Sequence, residues 1–173
     1  MSSSLTISSA PPSAVETFRS IVRADDAPAV EGLVRLAAIF NPAEVAIARE
    51  LVDENLAKGE QTSGYYFLFA DGPEGLDGYV CFGPVPGTVR RYELYWIAVH
   101  PGSRRSRLGR RLQQAAEDQV RAMGGVYMVA ETSTLPQYSA ARGFYISQGY
   151  GLIAEVPDWH DDGDGLAIFG KRL

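Results

Sequence analysis

The stretch from Arg91 to Met123 limits the possible folds of this chain more than any other. Arg91 to Val99, RYELYWIAV, is dense in aromatic and β-branched residues, as a central strand is. Pro101 closes it. From about Arg107 to Met123 the residues Leu108, Leu112, Ala115, Ala116, Gln119 and Met123 fall on one side of a helix, which Gly124 and Gly125 end before a further strand, YMVAET. Strand, helix and strand in this order bridge a parallel pair, and the rest of the chain must be fitted around a layered α/β sheet.

The flanking segments supply the other elements. A short apolar strand is predicted at Phe18 to Val22. Asp26 and Pro28 then introduce a helix carrying Val30, Leu33, Val34 and Ala37 at helical spacing. Asn41, Pro42 and Glu44 read as an N-cap, a first-turn proline and a capping-box acid for a second helix whose apolar face is Val45, Ala48, Val52 and Leu56. YYFLFA and YVCFG, joined through DGPEGLDG, predict an antiparallel hairpin. After YMVAET come a short helix around Ser139 to Gln148 and two strands, near Tyr150 to Val156 and Leu166 to Lys171, with PDWHDDGDG as the loop between them. The fold class is α/β: a single mixed, mostly antiparallel sheet flanked by helices.

With 173 residues and 46% hydrophobic content the chain can bury one core and is short for two domains. The Ser/Pro-rich start, residues 1–17, is expected to be a flexible arm, and 18–173 to be the domain. A net charge of -5 gives no general footprint for nucleic acid or an anionic membrane. No apolar run approaches the roughly 20 residues of a membrane span. One cysteine and two histidines speak against disulfides and a zinc site, and together with the polar start they predict a cytoplasmic protein. Cys81 reads as a packed strand thiol, since nothing nearby in sequence activates it. His160, Asp161, Asp162 and Asp164 do not follow the spacing of a calcium loop, so no metal is predicted.

Against this acidic background Arg104, Arg105, Arg107, Arg110 and Arg111 crowd one helix start. Cations there oppose the macrodipole, at about 0.3 to 1 kcal/mol each, whereas a bound polyanion would be favoured by them and by the free backbone N–H groups alike. A solvated basic face is the other explanation, and the charges alone do not choose between the two.

YELYWIAVHPGSRRSRLGRRL resembles the cofactor motif of the GNAT superfamily of acyl-coenzyme A N-acyltransferases, R/Q-x-x-G-x-G/A, with Arg104 first and Gly109 last. YSAARGFYISQGYGLI resembles the C-terminal half of the same family through Arg142, Phe144, Tyr145, Gly149 and Tyr150. The resemblance covers nearly everything after Phe18. It implies acetyl-coenzyme A as co-substrate, its pyrophosphate held along Arg104, Arg105, Ser106, Arg107, Leu108, Gly109 and Arg110, with Arg142 also at the cofactor, and its pantetheine arm lying along Ile97, Ala98 and Val99. The motif departs from the pattern at Arg107, where a glycine is usual, and at Arg105, often a glycine too. Guanidinium groups in place of backbone contacts, or a catalytically silent acyl-coenzyme A binding module, are the two outcomes this departure leaves open.

The resemblance also implies roles. Tyr145 matches the tyrosine that protonates the departing thiolate, and a phenol with a pKa near 10 can do so. Glu93, on the strand leading to the cofactor turn, is the candidate base for the amine, with Glu131 in reserve. By strand parity Glu93, Tyr95, Ile97 and Val99 should share one face. An ion pair with Arg90 or Arg91 is the competing explanation of Glu93. Tyr138 and Trp159, with nearby acids, are candidates for the pocket of a small-molecule or peptide amine. The acceptor itself and the oligomeric state stay open, a homodimer through the C-terminal strands being one expectation.

Overall fold

The computed structural model describes residues 18–173, apart from the side chains of Arg104 and Arg105; the predicted arm at 1–17 lies outside the described residues. Helices α1 (Asp26–Leu36), α2 (Pro42–Lys58) and the short α3 (Glu60–Ser63) precede strands β1 (Tyr66–Gly72), β2 (Gly75–Pro84) and β3 (Arg91–Val99). A 3₁₀ turn, Pro101–Ser106, leads into α4 (Leu108–Ala122), then β4 (Tyr127–Ser133), a second 3₁₀ turn Pro136–Tyr138, α5 (Ser139–Ser147), β5 (Gly151–Asp161) and β6 (Asp164–Arg172). The six strands form one sheet in the order β1-β2-β3-β4-β6-β5. β3 and β4 are parallel and every other pair is antiparallel, the mixed, mostly antiparallel sheet that the sequence predicts.

Each face of the sheet has its own core. On one side α1 and α2 bury Val30, Val34, Ala48 and Val52 against Phe67, Phe69, Tyr79 and Cys81. On the other, α4 and α5 bury Leu108, Leu112, Ala116, Val120 and Tyr145 against Val80, Phe82, Leu94, Met128 and Phe169. The capping box of α2 forms as predicted: Glu44 N donates to Asn41 Oδ1 (2.9 Å) and Asn41 N to Glu44 Oε2 (2.7 Å). This cap sets where the α1–α2 connection ends, a point that matters for the cleft described below.

Several expectations need correction. Phe18 to Val22 forms no strand: only Arg19 bridges to Phe69, while its guanidinium binds Asp26 and Asp71 at 2.8 Å. Ionic contacts fix this segment where ladder pairing was expected. Leu56 is 42% exposed, and Asn55 takes its place on the buried face by donating from Nδ2 to Tyr65 O (2.8 Å). On α4 the buried positions include Gln113, Glu117 and Val120 rather than Gln119 and Met123. A hydrophobicity pattern misses them because they are buried as polar partners: Gln113 Nε2 donates to Tyr150 OH (2.6 Å), and Lys171 Nζ to Glu117 Oε2 (2.7 Å). The PDWHDDGDG segment is mostly strand, with β5 running on to Asp161. Its register slips between Val156 and Asp161, around Pro157 and a left-handed Asp158 (φ 52°), a defect that an edge strand tolerates.

Candidate active site

The cleft arises where two parallel strands part. β3 and β4 pair only from Arg91↔Tyr127 to Leu94↔Ala130; beyond that β3 keeps β2 on one side and, among the described residues, has no strand on the other. The backbone of Tyr95 to Val99 therefore offers hydrogen-bonding groups to an empty edge. A cavity of about 1160 Å³ fills the gap, bounded by β3, the start of α4, the end of β4, α5, the α1–α2 connection and the β5–β6 hairpin. It is large beside the usual ligand pocket of roughly 300–1,000 Å³.

A bulge at the parting point reorients β3. Cys81 pairs with Trp96 but Phe82 pairs with Leu94, so Tyr95 is an extra residue on β3. Tyr95 and Trp96, adjacent in sequence, consequently both pack with the α1–α2 core, while Ile97 and Val99 pack with the α4 core. The parity argument that put Glu93, Tyr95, Ile97 and Val99 on one face fails here, since a single inserted residue exchanges the faces of everything after it. Ile97, Ala98 and Val99 all line the cavity.

At one end stands the start of α4. Arg107 is its N-cap and adopts the left-handed conformation (φ 60°, ψ 23°) that a glycine would supply without strain. Among the described residues no side chain caps the helix, and its first turn holds no acid, which leaves its leading N–H groups without a side-chain partner there. Arg107, Gly109 and Arg110 line the cavity, and neither Arg107 nor Arg110 has an ion-pair partner among the described residues. Ser106 and Leu108 are turned elsewhere. Leu108 is buried in the α4 core, and Ser106, whose Oγ donates to Ser103 O (2.6 Å), lines a separate hollow of about 420 Å³. Arg105 lies on the 3₁₀ turn, where the helical backbone makes no demand for glycine. Arg142 does not line the cavity; it donates to Ser133 O (2.6 Å) and Leu135 O (3.0 Å), tying α5 to the end of β4.

Tyr145 lines the middle of the cleft while only 6% exposed, packed against Phe144, Tyr150 and Phe169 with ring centroids 5.7, 6.0 and 5.8 Å away. Burial raises its phenol above the ordinary range, so it holds its proton at neutral pH. Glu93 is pushed up to about 7 by burial and by the charge of Glu131. The two acids are on one face of adjacent strands, because Glu93 pairs with Val129 and Glu131 is two residues further along β4. Glu131 lines the cavity, whereas Glu93 is not among its lining residues. Neither Arg90 nor Arg91 pairs with Glu93: they donate to Gly124 O (2.6 Å) and Val89 O (3.1 Å).

The far end is aromatic and acidic. Phe40 and Trp96 lie 5.2 Å apart and Phe40 and Tyr138 6.0 Å apart, all three on the cavity wall. Tyr138 OH donates to the Glu44 carboxylate (2.9 Å), whose charge together with burial pushes the phenol up to about 12. Asp164 accepts from Ser133 Oγ, and His160 faces the same space. Trp159 does not: it is 62% exposed and off the cavity. Phe40, Trp96 and Glu44 were not read from the sequence as site residues, although Phe40, directly before the N-cap of α2, holds the position of a hydrophobic staple. Cys81 is buried, with its thiol pushed well up by desolvation, so it is inert as a nucleophile.

One recess thus brings together a helix start with two arginines and open N–H groups, an unpaired strand edge and a protonated phenol. The model of the acetyltransferase (GNAT) family matches residues 33–150. A protein assigned to the GNAT acetyltransferases from Desulfovibrio desulfuricans superposes with a TM-score of 0.87 at 38% identity, covering 90% of this chain and 98% of that one. An aminoglycoside 6'-N-acetyltransferase in complex with coenzyme A shares the fold (TM-score 0.67, 16% identity, 89% and 96% covered). So does the ribosomal-protein-S18-alanine N-acetyltransferase of Escherichia coli (TM-score 0.68, 20% identity, 91% and 93% covered). No sequence relative among curated proteins matches. The match over most of the chain and the 38% identity together place this protein in the GNAT family of acetyltransferases, enzymes whose acyl donor is acetyl-coenzyme A.

Proposed function

We propose that the protein acetylates a primary amine by direct attack of that amine on acetyl-coenzyme A within a ternary complex. One observation carries this: the open, arginine-bearing start of α4, the unpaired edge of β3 and the phenol of Tyr145 border a single cavity that also has room for an acceptor. The donor supplies an acetyl thioester. Arg107, Arg110 and the leading N–H groups of α4 bind its phosphates, with Arg104 and Arg105 on the same turn, and the backbone of Ile97 to Val99 holds its arm as an added strand would be held.

An alkyl ammonium titrates near 10.4 and must lose its proton before attack. Glu93, with Glu131 beside it, takes that proton, directly or through water. As the nitrogen–carbon bond forms and the carbon–sulfur bond breaks, a backbone N–H near Val99 steadies the carbonyl oxygen, Tyr145 gives its phenolic proton to the sulfur, and the second proton shed by the new amide nitrogen returns through water to the Tyr145 phenolate. Arg107 takes the conformation that glycine usually supplies, so the departure at this position is compatible with a working phosphate turn.

Residues 18–173 are on this account the N-acyltransferase domain. No helix among the described residues is long and apolar enough to cross a membrane, and the single cysteine accords with a reducing cytoplasm. The exposed edge of β5, with Leu152 and Ile153 more than half accessible, favours a homodimer, testable by sedimentation. Thiol release from acetyl-coenzyme A, screened over an amine library, tests the activity: release that depends on one amine and yields its acetamide is expected, and no release with any amine would overturn it.

A further inference from the structure

The helix that carries Tyr145 has little packing of its own to hold it. Of the nine residues of α5 only Tyr145 is buried, and the chain leaves the helix through a left-handed Gly149 (φ 85°). Its placement therefore depends on ties at its two ends. Near the start Arg142 binds Ser133 O and Leu135 O. At the other end Tyr150 N donates to Tyr145 O (3.1 Å), and the rings of these two tyrosines lie 6.0 Å apart.

Tyr150 is itself fixed by a buried polar cluster that the proposed reaction does not use. Gln113 Nε2 donates to its hydroxyl (2.6 Å), and Lys171 Nζ, which binds Glu117 at 2.7 Å, lies 5.5 Å from its ring centroid. Burial, with the charge of Glu117 and a hydrogen bond to it, raises the Tyr150 phenol far above its ordinary range, so it keeps its proton. Gln113 and Glu117 are each 1% exposed, and Gln113 Oε1 has no partner among the described residues. Such a cluster is a poor source of stability, because apolar side chains of similar volume would hold α4 on the sheet about as well. What it supplies is one defined geometry.

That geometry relates two parts of the site. Arg110, Gln113 and Glu117 recur at spacings of three and four, so the face of α4 that meets the cavity at Arg110 is bonded, one turn later, to the residue that ends α5. We infer that the Tyr150 hydroxyl is a positioning group for acetyl transfer: gripped by Gln113 and Glu117, it sets the Tyr145 phenol at a fixed place relative to the phosphate-binding start of α4. The inference rests on the proton-donating role proposed for Tyr145. A displacement of the order of 1 Å in a reacting group can cost about 100-fold in rate, so one lost hydroxyl behind the site can be felt in turnover.

The test is a double-mutant cycle on Tyr145→Phe and Tyr150→Phe, read as thiol release from saturating acetyl-coenzyme A with the fastest amine of the library screen. Tyr150→Phe alone should lower kcat by about tenfold or more while the KM for acetyl-coenzyme A stays near wild type. Added to Tyr145→Phe it should cost almost nothing further, since no proton is left to position. Coenzyme A should still raise the melting temperature of each variant, and rates are taken well below the lowest of these temperatures. Should Tyr150→Phe not fold, Gln113→Met keeps the ring, removes its anchor and should show the same dependence on Tyr145. Unchanged kcat in the variant behind the site, or an equal loss in both backgrounds, overturns the inference alone. Wild-type turnover in Tyr145→Phe removes the proposed proton donor and the inference together.

Discussion

Replacing Arg107 by glycine should make the protein more stable and its hold on coenzyme A weaker. The left-handed backbone at this position costs an L-residue about 1–2 kcal/mol, which glycine does not incur. Glycine gives back roughly 0.4–1 kcal/mol through the greater freedom of the unfolded chain. Removing a cation from the positive end of α4 returns a further ~0.3–1 kcal/mol. The net gain is about 1 kcal/mol, or a rise of ~2–4 °C in Tm for a domain of this size. Losing a guanidinium that bonds a phosphate costs about 1.5–3 kcal/mol, a roughly 10- to 100-fold weaker Kd. Scanning calorimetry without ligand and isothermal titration with coenzyme A read the two effects separately. Arg107→Ala keeps the strain and loses the guanidinium, so it should match the glycine variant in Kd while its Tm rises only by the smaller part that comes from removing the cation. A glycine variant that binds coenzyme A as tightly as wild type, or one that melts lower, refutes the reasoning.

Tyr145→Phe should depress kcat while the Kd for coenzyme A stays near wild type, since the ring's packing is kept and only the proton is lost; unchanged turnover removes the phenol from the chemistry. The rate of wild type should rise with pH through about 7 as Glu93 ionises, and Glu93→Gln should abolish that limb. The same carboxyl bears on stability: its folded pKa lies above the usual 4.5, so the fold loses stability as pH climbs from there to about 7. Glu93→Gln should thus melt higher than wild type at pH 8 and equally at pH 4. Asn41→Ala removes the α2 cap and should cost about 0.5–2 kcal/mol by denaturant titration. Gly83→Ala should prevent normal folding, since its Cβ would collide with the backbone oxygen of Gly64, and soluble expression with wild-type melting would contradict the packing described.

Most of the sheet was legible because its strands are long and aromatic and its helices carry their own start and stop signals, such as the Asn41 box and Gly124. The arginine-rich start of α4 stood out for a different reason: cations oppose a helix dipole, and so unfavourable a local choice raises the question of a bound anion. What failed to show was whatever depends on a partner distant in sequence. The bulge at Tyr95 leaves no signal in β3 itself, since it exists only in register with Cys81 and Phe82, and it misled the assignment of faces around Glu93. Gln113 and Glu117 looked like surface residues of α4 because Tyr150 and Lys171, which satisfy them, come 37 and 54 residues later. The aromatic part of the cavity wall is likewise assembled from the α1–α2 connection, β3 and the turn before α5, so Phe40 and Trp96, unlike Tyr138, gave no sign of it in sequence.

The most direct measurement is mass spectrometry of an amine library incubated with acetyl-coenzyme A and the purified chain, read beside free thiol. At least one amine should gain a single acetyl group in step with thiol release, and Tyr145→Phe should slow both together. Thiol release without an acetylated amine, or acetylated product formed at the same rate by the Tyr145 variant, would contradict transfer in the cleft between β3 and β4.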